Sequence, residues 1–268
     1  MDLSARFNVQ HSGRLDGQPL LFVHGYGCDQ NMWRHVVPHF VDDHHVVLYD
    51  QMGAGASDTS AYDPERYGSL RGYAQDLLDI CASLGLEDVI VVGHSVSAMI
   101  AVLADLAEPG RIAAHVMVAP SPRYVDDPPY VGGFSESDIA EMLEAVDSNY
   151  LGWSSAIAPV IVGNPDRPEL GEELAASFCR ADPEIARRFA RVTFLSDNRV
   201  ELARVRTRTL VLQCQQDVIA PMQVGRYVHS VVPGSELVVL DAFGHCPQLS
   251  APEETVTAIK GFLTPVNA

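Results

Sequence analysis

Hydrophobic positions in this chain fall into short unbroken runs separated by longer amphipathic stretches. Pro19–Val23, His45–Tyr49, Val89–Val92, Ala114–Val118, Thr209–Gln213 and Glu236–Leu240 are mostly Val, Ile and Leu, with little polar alternation. Runs of that kind predict parallel strands covered on both faces, because a strand with one wet face would alternate. Between them lie helical periods. Asp29–Phe40 fits a helix with Met32, Trp33, Val36 and Val37 on one side. Leu70–Leu84 repeats apolar residues at Tyr73, Leu77, Leu78, Cys81 and Leu84 and stops at Gly85. A further helix runs from Ser95 to about Leu106, and an amphipathic one from Glu253 to Phe262 closes the sequence. Strands alternating with helices predict a doubly wound, mostly parallel α/β sheet.

The rhythm breaks near Ala119. Ser121–Phe134 is rich in Pro, Gly and Asp, and Ser135 to about Leu195 is helical throughout. Ser135-Glu-Ser-Asp138 and Asp182-Pro-Glu184 have the form of helix N-caps, and Asn164-Pro-Asp-Arg-Pro-Glu169 separates two helices. The expected organisation is one core, residues 1–120 and 197–268, with a helical insertion at 121–196.

Val89–Val92 ends at Gly93-His94-Ser95-Val96-Ser97, where a small-residue helix begins. A buried strand turning sharply into a helix with serine at the turn is a nucleophile elbow, the hallmark of α/β-hydrolases. Ser97 stands where the usual pattern has its last glycine. A serine nucleophile needs a base, which in this fold follows in the chain order Ser, Asp/Glu, His on loops after later strands. Asp217, after the Thr209 run, and His245, after the Glu236 run, occupy those places. The glycine loop His24-Gly25-Tyr26-Gly27 can turn an amide towards developing negative charge, so the backbone N–H groups of Tyr26 and Val96 are the expected oxyanion donors.

Composition narrows the partners. With 18 Lys and Arg against 35 Asp and Glu, the net charge is −17, which disfavours nucleic acid and anionic membrane surfaces. Five scattered cysteines (Cys28, Cys81, Cys179, Cys214 and Cys246) suggest neither a disulfide framework nor a zinc site. No histidine pair has metal-ligand spacing, and the Asp50–Asp58 glycine loop lacks a dinucleotide fingerprint, so no metal and no cofactor are expected. No signal peptide or membrane span is evident, and the expected location is cytoplasmic.

Several stretches carry a more specific resemblance: His24-Gly-Tyr-Gly-Cys-Asp-Gln30, Gly93–Ile100, Ser121-Pro-Arg123, Gly132-Gly-Phe134, Asn149-Tyr-x-x-Trp153, Val192-x-Phe194-x-Ser-Asp197 and Gly244-His-Cys-Pro-Gln-Leu-Ser250. The chain resembles the RsbQ family of α/β-hydrolases, which includes a bacterial stress-signalling protein and the plant karrikin and strigolactone receptors. That resemblance implies a four-helix lid over an apolar pocket and slow hydrolysis of a small hydrophobic ester or butenolide-like lactone. It also implies, by analogy with the bacterial member, a PAS-containing serine phosphatase as partner. Carried over by position, the pocket would be lined by Tyr26, Val96, Phe134, Trp153, Ile157, Phe194 and Val218. Family members often carry phenylalanine where this chain has Tyr26 and Ile157. A free-standing esterase or lactonase, and a receptor that binds without turnover, remain open alternatives on the residues alone.

Overall fold

The computed structural model describes residues 2–264. Seven strands form one sheet: β1 (Gln10–Gly13), β2 (Gln18–Val23), β3 (His44–Leu48), β4 (Val89–His94), β5 (Ile112–Val118), β6 (Arg208–Gln216) and β7 (Glu236–Phe243). Their order is β1-β3-β2-β4-β5-β6-β7, parallel throughout except for β1, which pairs antiparallel to β3 at the edge. All four residues of β1 are exposed, so no apolar run announces it in the sequence.

The central strands feed two cores in alternation, as the pleat requires. Leu20, Phe22, Ile90, Val92, Val116, Val118, Leu210 and Leu212 face one side of the sheet. Leu21, Val23, Val89, Val91, Met117 and Val211 face the other. Both sides are dry, which explains why these strands lack a polar period.

After the one-turn helix α1 (Leu3–Arg6), α2 (Leu70–Leu84) and α3 (Val96–Ala107) cover the second face. Gly85 ends α2 in the left-handed conformation, φ +64°. Four long helices follow β5: α4 (Glu136–Ser148), α5 (Tyr150–Val162), α6 (Pro168–Arg180) and α7 (Pro183–Phe194). Ser135 and Asp138 form a capping box on α4, and Asp182 caps α7 through the amides of Glu184 and Ile185. The one-turn α8 (Arg199–Leu202) precedes β6. Beyond it come α9 (Met222–Val231), the one-turn α10 (Pro247–Ser250) and α11 (Pro252–Leu263).

The expected helix over Asp29–Phe40 does not form. Two 3₁₀ turns, Gln30–Trp33 and Val37–His39, stand in its place. The Asp50 carboxylate holds the amide of Gln30 at 2.9 Å, Asp29 caps Asn31, and Pro38 lacks the N–H that a continuous helix would use. Of the expected apolar side, Met32, Trp33 and Val36 are nevertheless buried, and Val37 is half-buried. Asp50 also holds Asn8 at 2.8 Å and the amide of Ala56 at 2.9 Å, which makes its glycine loop a structural joint.

Helices α4–α7 are tied to the core by polar bonds. Arg180 meets the buried Asp29 at 2.6 Å and Arg34 pairs with Glu173. At the end of α5, the amide of His245 donates to the carbonyl of Ile161 at 2.8 Å, and Asn164 Nδ2 donates to that of Phe243 at 2.9 Å. The loop bearing His245 is therefore fastened to α5 as well as to the sheet. Among the described residues no helix is long and apolar enough to cross a membrane.

Candidate functional site

Ser95 sits between β4 and α3 with φ +58° and ψ −125°, a conformation that costs an L-residue about 1–3 kcal/mol and persists only where the surroundings enforce it. The enforcement is visible: the Ser95 amide donates to the carbonyl of Val118 on β5 at 2.8 Å. Ser97 explains the departure from the usual glycine. Its hydroxyl donates to the carbonyl of His24 at 2.5 Å, and Gln51 Nε2 donates to that same carbonyl. The elbow helix thus holds the β2 glycine loop through a side chain that glycine would lack.

The structure brings Ser95, His245 and Asp217 together. Ser95 Oγ lies 2.7 Å from His245 Nε2, and His245 Nδ1 lies 2.7 Å from Asp217 Oδ2. Asp217 uses its other oxygen to accept the amides of Ile219 and Ala220 at 2.8 and 3.0 Å, which fixes the carboxylate independently of the imidazole. With Nδ1–H donating to Asp217, Nε2 presents a lone pair to the serine hydroxyl. All three residues are buried. That arrangement can remove a proton from Ser95 and hold the resulting imidazolium.

The loop His24–Gly27 lies against the nucleophile. A Cβ on Gly25 would stand 2.6 Å from His94 Nδ1 and 3.2 Å from Ser95 Cβ, so only glycine fits the approach. His24 is a fixed neutral imidazole: Nε2 accepts the amide of Gln51 at 3.0 Å, and Nδ1–H donates to the carbonyl of Gly25 at 2.9 Å. Burial holds its pKa below the ordinary value, in keeping with that tautomer. The amide of Tyr26 belongs to this loop, and that of Val96 is the first of α3, one of the four N–H groups a helix leaves free.

A cavity of about 210 Å³ opens beside Ser95 and His245. Of the residues expected to line it, Tyr26, Phe134, Trp153, Ile157 and Phe194 do so. Val218 does not: its side chain is 54% exposed, and Ile219 faces the cavity instead. The turn closed by Asp217 Oδ1 explains the exchange, since adjacent side chains on it diverge. Val96 is fully buried in the core under α3 and offers the site only its backbone.

The cavity also takes in residues that no sequence pattern marks, Phe178 and Tyr124 among them. Phe178 of α6 packs edge-on against Tyr26 and Trp153, with centroids 5.7 Å apart in both pairs. Tyr124 brings its hydroxyl to 3.3 Å from Ser95 Oγ. Because the serine hydrogen is committed to His245, Tyr124 is the donor in that contact. Burial raises its pKa above the ordinary value and keeps it a neutral hydroxyl. The one signal for Tyr124 was its place directly after Ser121-Pro-Arg123, beyond the end of β5.

Tyr26 is ringed by Trp153, Phe178, Phe189 and Phe194 at centroid distances of 5.7–6.5 Å, and its buried hydroxyl has no hydrogen-bond partner among the described residues. A buried unsatisfied hydroxyl costs about 1–3 kcal/mol. Tyr26→Phe is therefore expected to raise the stability of the ligand-free protein by about 1 kcal/mol, or about 2 °C in Tm by calorimetry. A fall in Tm would mean that the hydroxyl has a partner.

The alpha/beta hydrolase family model matches residues 20–258. The karrikin insensitive 2 receptor CA of Petunia hybrida is 38% identical over 243 residues, covering 90% of each chain. The strigolactone esterase D14 of Arabidopsis thaliana is 38% identical, covering 89% of this chain and 90% of its own. A solved hydrolase from Oleispira antarctica superposes with a TM-score of 0.94 at 38% identity, over 97% of this chain and 96% of its own. With its strand order, its elbow and this likeness over nearly its whole length, the chain belongs to the alpha/beta hydrolase family, among the relatives of the karrikin insensitive 2 receptors and the strigolactone esterase D14.

Proposed function

We propose that this protein hydrolyses a small hydrophobic ester or lactone through a covalent intermediate on Ser95. The observation that carries the reading is the unbroken relay Asp217–His245–Ser95, with both links at 2.7 Å, at the wall of an apolar cavity. His245 Nε2 takes the proton as Ser95 Oγ attacks the carbonyl, and Asp217 stabilises the imidazolium. The amides of Tyr26 and Val96 receive the oxyanion, each such donor being worth about 10²–10³ in rate. His245 then protonates the leaving alkoxide. Water, deprotonated by the same nitrogen, clears the acyl group. Because His245 is tied to α5, the four helices α4–α7 act as a lid whose position and catalytic geometry are linked.

A cavity this small suits a one- or two-ring ligand, and the names of the plant relatives point to a karrikin- or butenolide-like lactone. A sensing role, with a phosphatase as partner in the manner of the bacterial family member, follows from that likeness. The test is intact-mass analysis after phenylmethanesulfonyl fluoride, with p-nitrophenyl acetate turnover on the same protein. A single adduct that maps to Ser95, with turnover well below about 10 s⁻¹, is the expected result. Turnover at or above that rate would favour a free-standing esterase. A protein that takes no adduct would lack a working nucleophile, and the proposal would fall.

A further inference from the structure

The relay leaves a second cluster of reactive groups in the cavity unused. Cys28, in the loop after β2, and Cys246, next to His245, both line the cavity together with His94. Both cysteines and His94 are almost wholly buried from bulk solvent, so what reaches them comes through the cavity. His94 donates from Nε2 to the carbonyl of His245 at 2.8 Å, which fixes its tautomer and leaves Nδ1 with a lone pair. That nitrogen is buried and has no conventional partner. Cys28, Cys246 and this imidazole thus share one wall of the cavity.

We infer that Cys28 is a second nucleophile of the cavity, built to add its sulfur to the β-carbon of an α,β-unsaturated carbonyl ligand, with His94 carrying the proton. The inference rests on the cavity being the ligand site, as proposed above. The thiol proton passes to His94 Nδ1. The sulfur–carbon bond forms at the β-carbon while the π pair moves to the enolate, and the imidazolium returns the proton to the α-carbon. The sum is addition of S–H across C=C, with no oxidant, reductant or lost group.

Electrostatics agree with the geometry. The neighbouring Cys246 thiol, together with His94, holds the Cys28 thiol down to about 6, against burial and the nearby Asp29. Cys246 itself is raised well above the usual thiol value, so it stays S–H. The other buried thiols have no such company: burial pushes Cys81 up to about 12 and raises Cys214 as well. They form internal controls within the same molecule.

The experiment uses the full-length Ser95→Ala protein, which cannot open a lactone, treated at pH 7 with α-methylene-γ-butyrolactone. Adducts are followed at each cysteine by peptide mass spectrometry. Thiolate fraction, tempered by the lower nucleophilicity of a more acidic thiol, predicts labelling of Cys28 at least about tenfold faster than of Cys81 and Cys214. Exposed Cys179 reports the reagent's intrinsic rate. His94→Asn should slow Cys28 about tenfold while leaving Cys179, Cys81 and Cys214 unchanged, a pattern that a misfolded variant would not give. Labelling of Cys28 no faster than of Cys81 and Cys214, or an adduct on Cys246 instead, overturns the inference. The sulfonyl fluoride result on the parent protein keeps the two proposals apart. A Ser95 adduct without a Cys28 adduct defeats this one alone. A Cys28 adduct without a Ser95 adduct supports it and defeats the hydrolase reading, and unreactive Cys28 and Ser95 together defeat both.

Discussion

Ser95→Ala is expected to lower hydrolysis of p-nitrophenyl acetate by about 10⁴-fold or more. Members of a serine relay act as a unit, and deleting the nucleophile alone removes nearly all that the unit supplies; what remains comes from oxyanion donors and binding. The substitution removes one oxygen that touches only His245 Nε2 and Tyr124 Oη, so the backbone of the elbow, held by Val118, has no reason to move. Binding of small lactones, followed by thermal shift, should survive. Retained hydrolysis would sink the role assigned to Ser95. Retained binding with lost turnover is also the variant needed to ask whether a sensing function depends on chemistry or on occupancy.

The relay was legible in the sequence for a physical reason. Each of its members follows an apolar strand of the parallel sheet, and chain order then assigns the expected roles. The elbow even predicts its own strain, because a buried strand cannot turn into a helix that abruptly by ordinary φ and ψ. Between neighbouring residues the sequence loses resolution. The loop after β6 is marked as a source of pocket residues, but that Ile219 and not Val218 faces the cavity depends on how Asp217 Oδ1 folds the turn. Phe178, Tyr124 and the Cys28–Cys246 pair were missed because they meet from elements far apart in the chain. No local pattern marks a residue for a cavity wall built by α6 and the loops after β2, β5 and β7. The span Asp29–Phe40 failed differently: its apolar period is genuine, but Asp50, on a separate loop, competes for the amide of Gln30 and Pro38 interrupts the remainder. Tertiary hydrogen bonds overrode local propensity there.

The largest effect on stability is expected from Gly244→Ala, one residue before His245. Gly244 has φ +83°, and a Cβ built on it would stand 1.7 Å from the carbonyl oxygen of Val162, in the last turn of α5. Left-handed backbone costs alanine about 1–2 kcal/mol, and forcing packed main chain apart adds about 1–3 kcal/mol. The sum, about 3 kcal/mol, corresponds to a fall in Tm of roughly 6–12 °C for a chain of this size. Gly234→Ala separates the two costs. Its φ of +71° is similar, but nothing lies within 4 Å of its Cβ, so only the backbone penalty applies. The consequence at Gly244 reaches chemistry as well. The oxygen that a methyl group would displace belongs to the turn that also accepts the amide of His245 through Ile161 and meets Phe243 through Asn164. Moving that turn moves the imidazole, and a misplacement of about 1 Å costs about 10²-fold in rate. Gly244→Ala should thus lose both stability and p-nitrophenyl acetate hydrolysis, whereas Gly234→Ala loses about 1 kcal/mol of stability and keeps its rate. Equal Tm values for the two variants would mean that α5 yields without resistance, and the lid would then be independent of the catalytic loop.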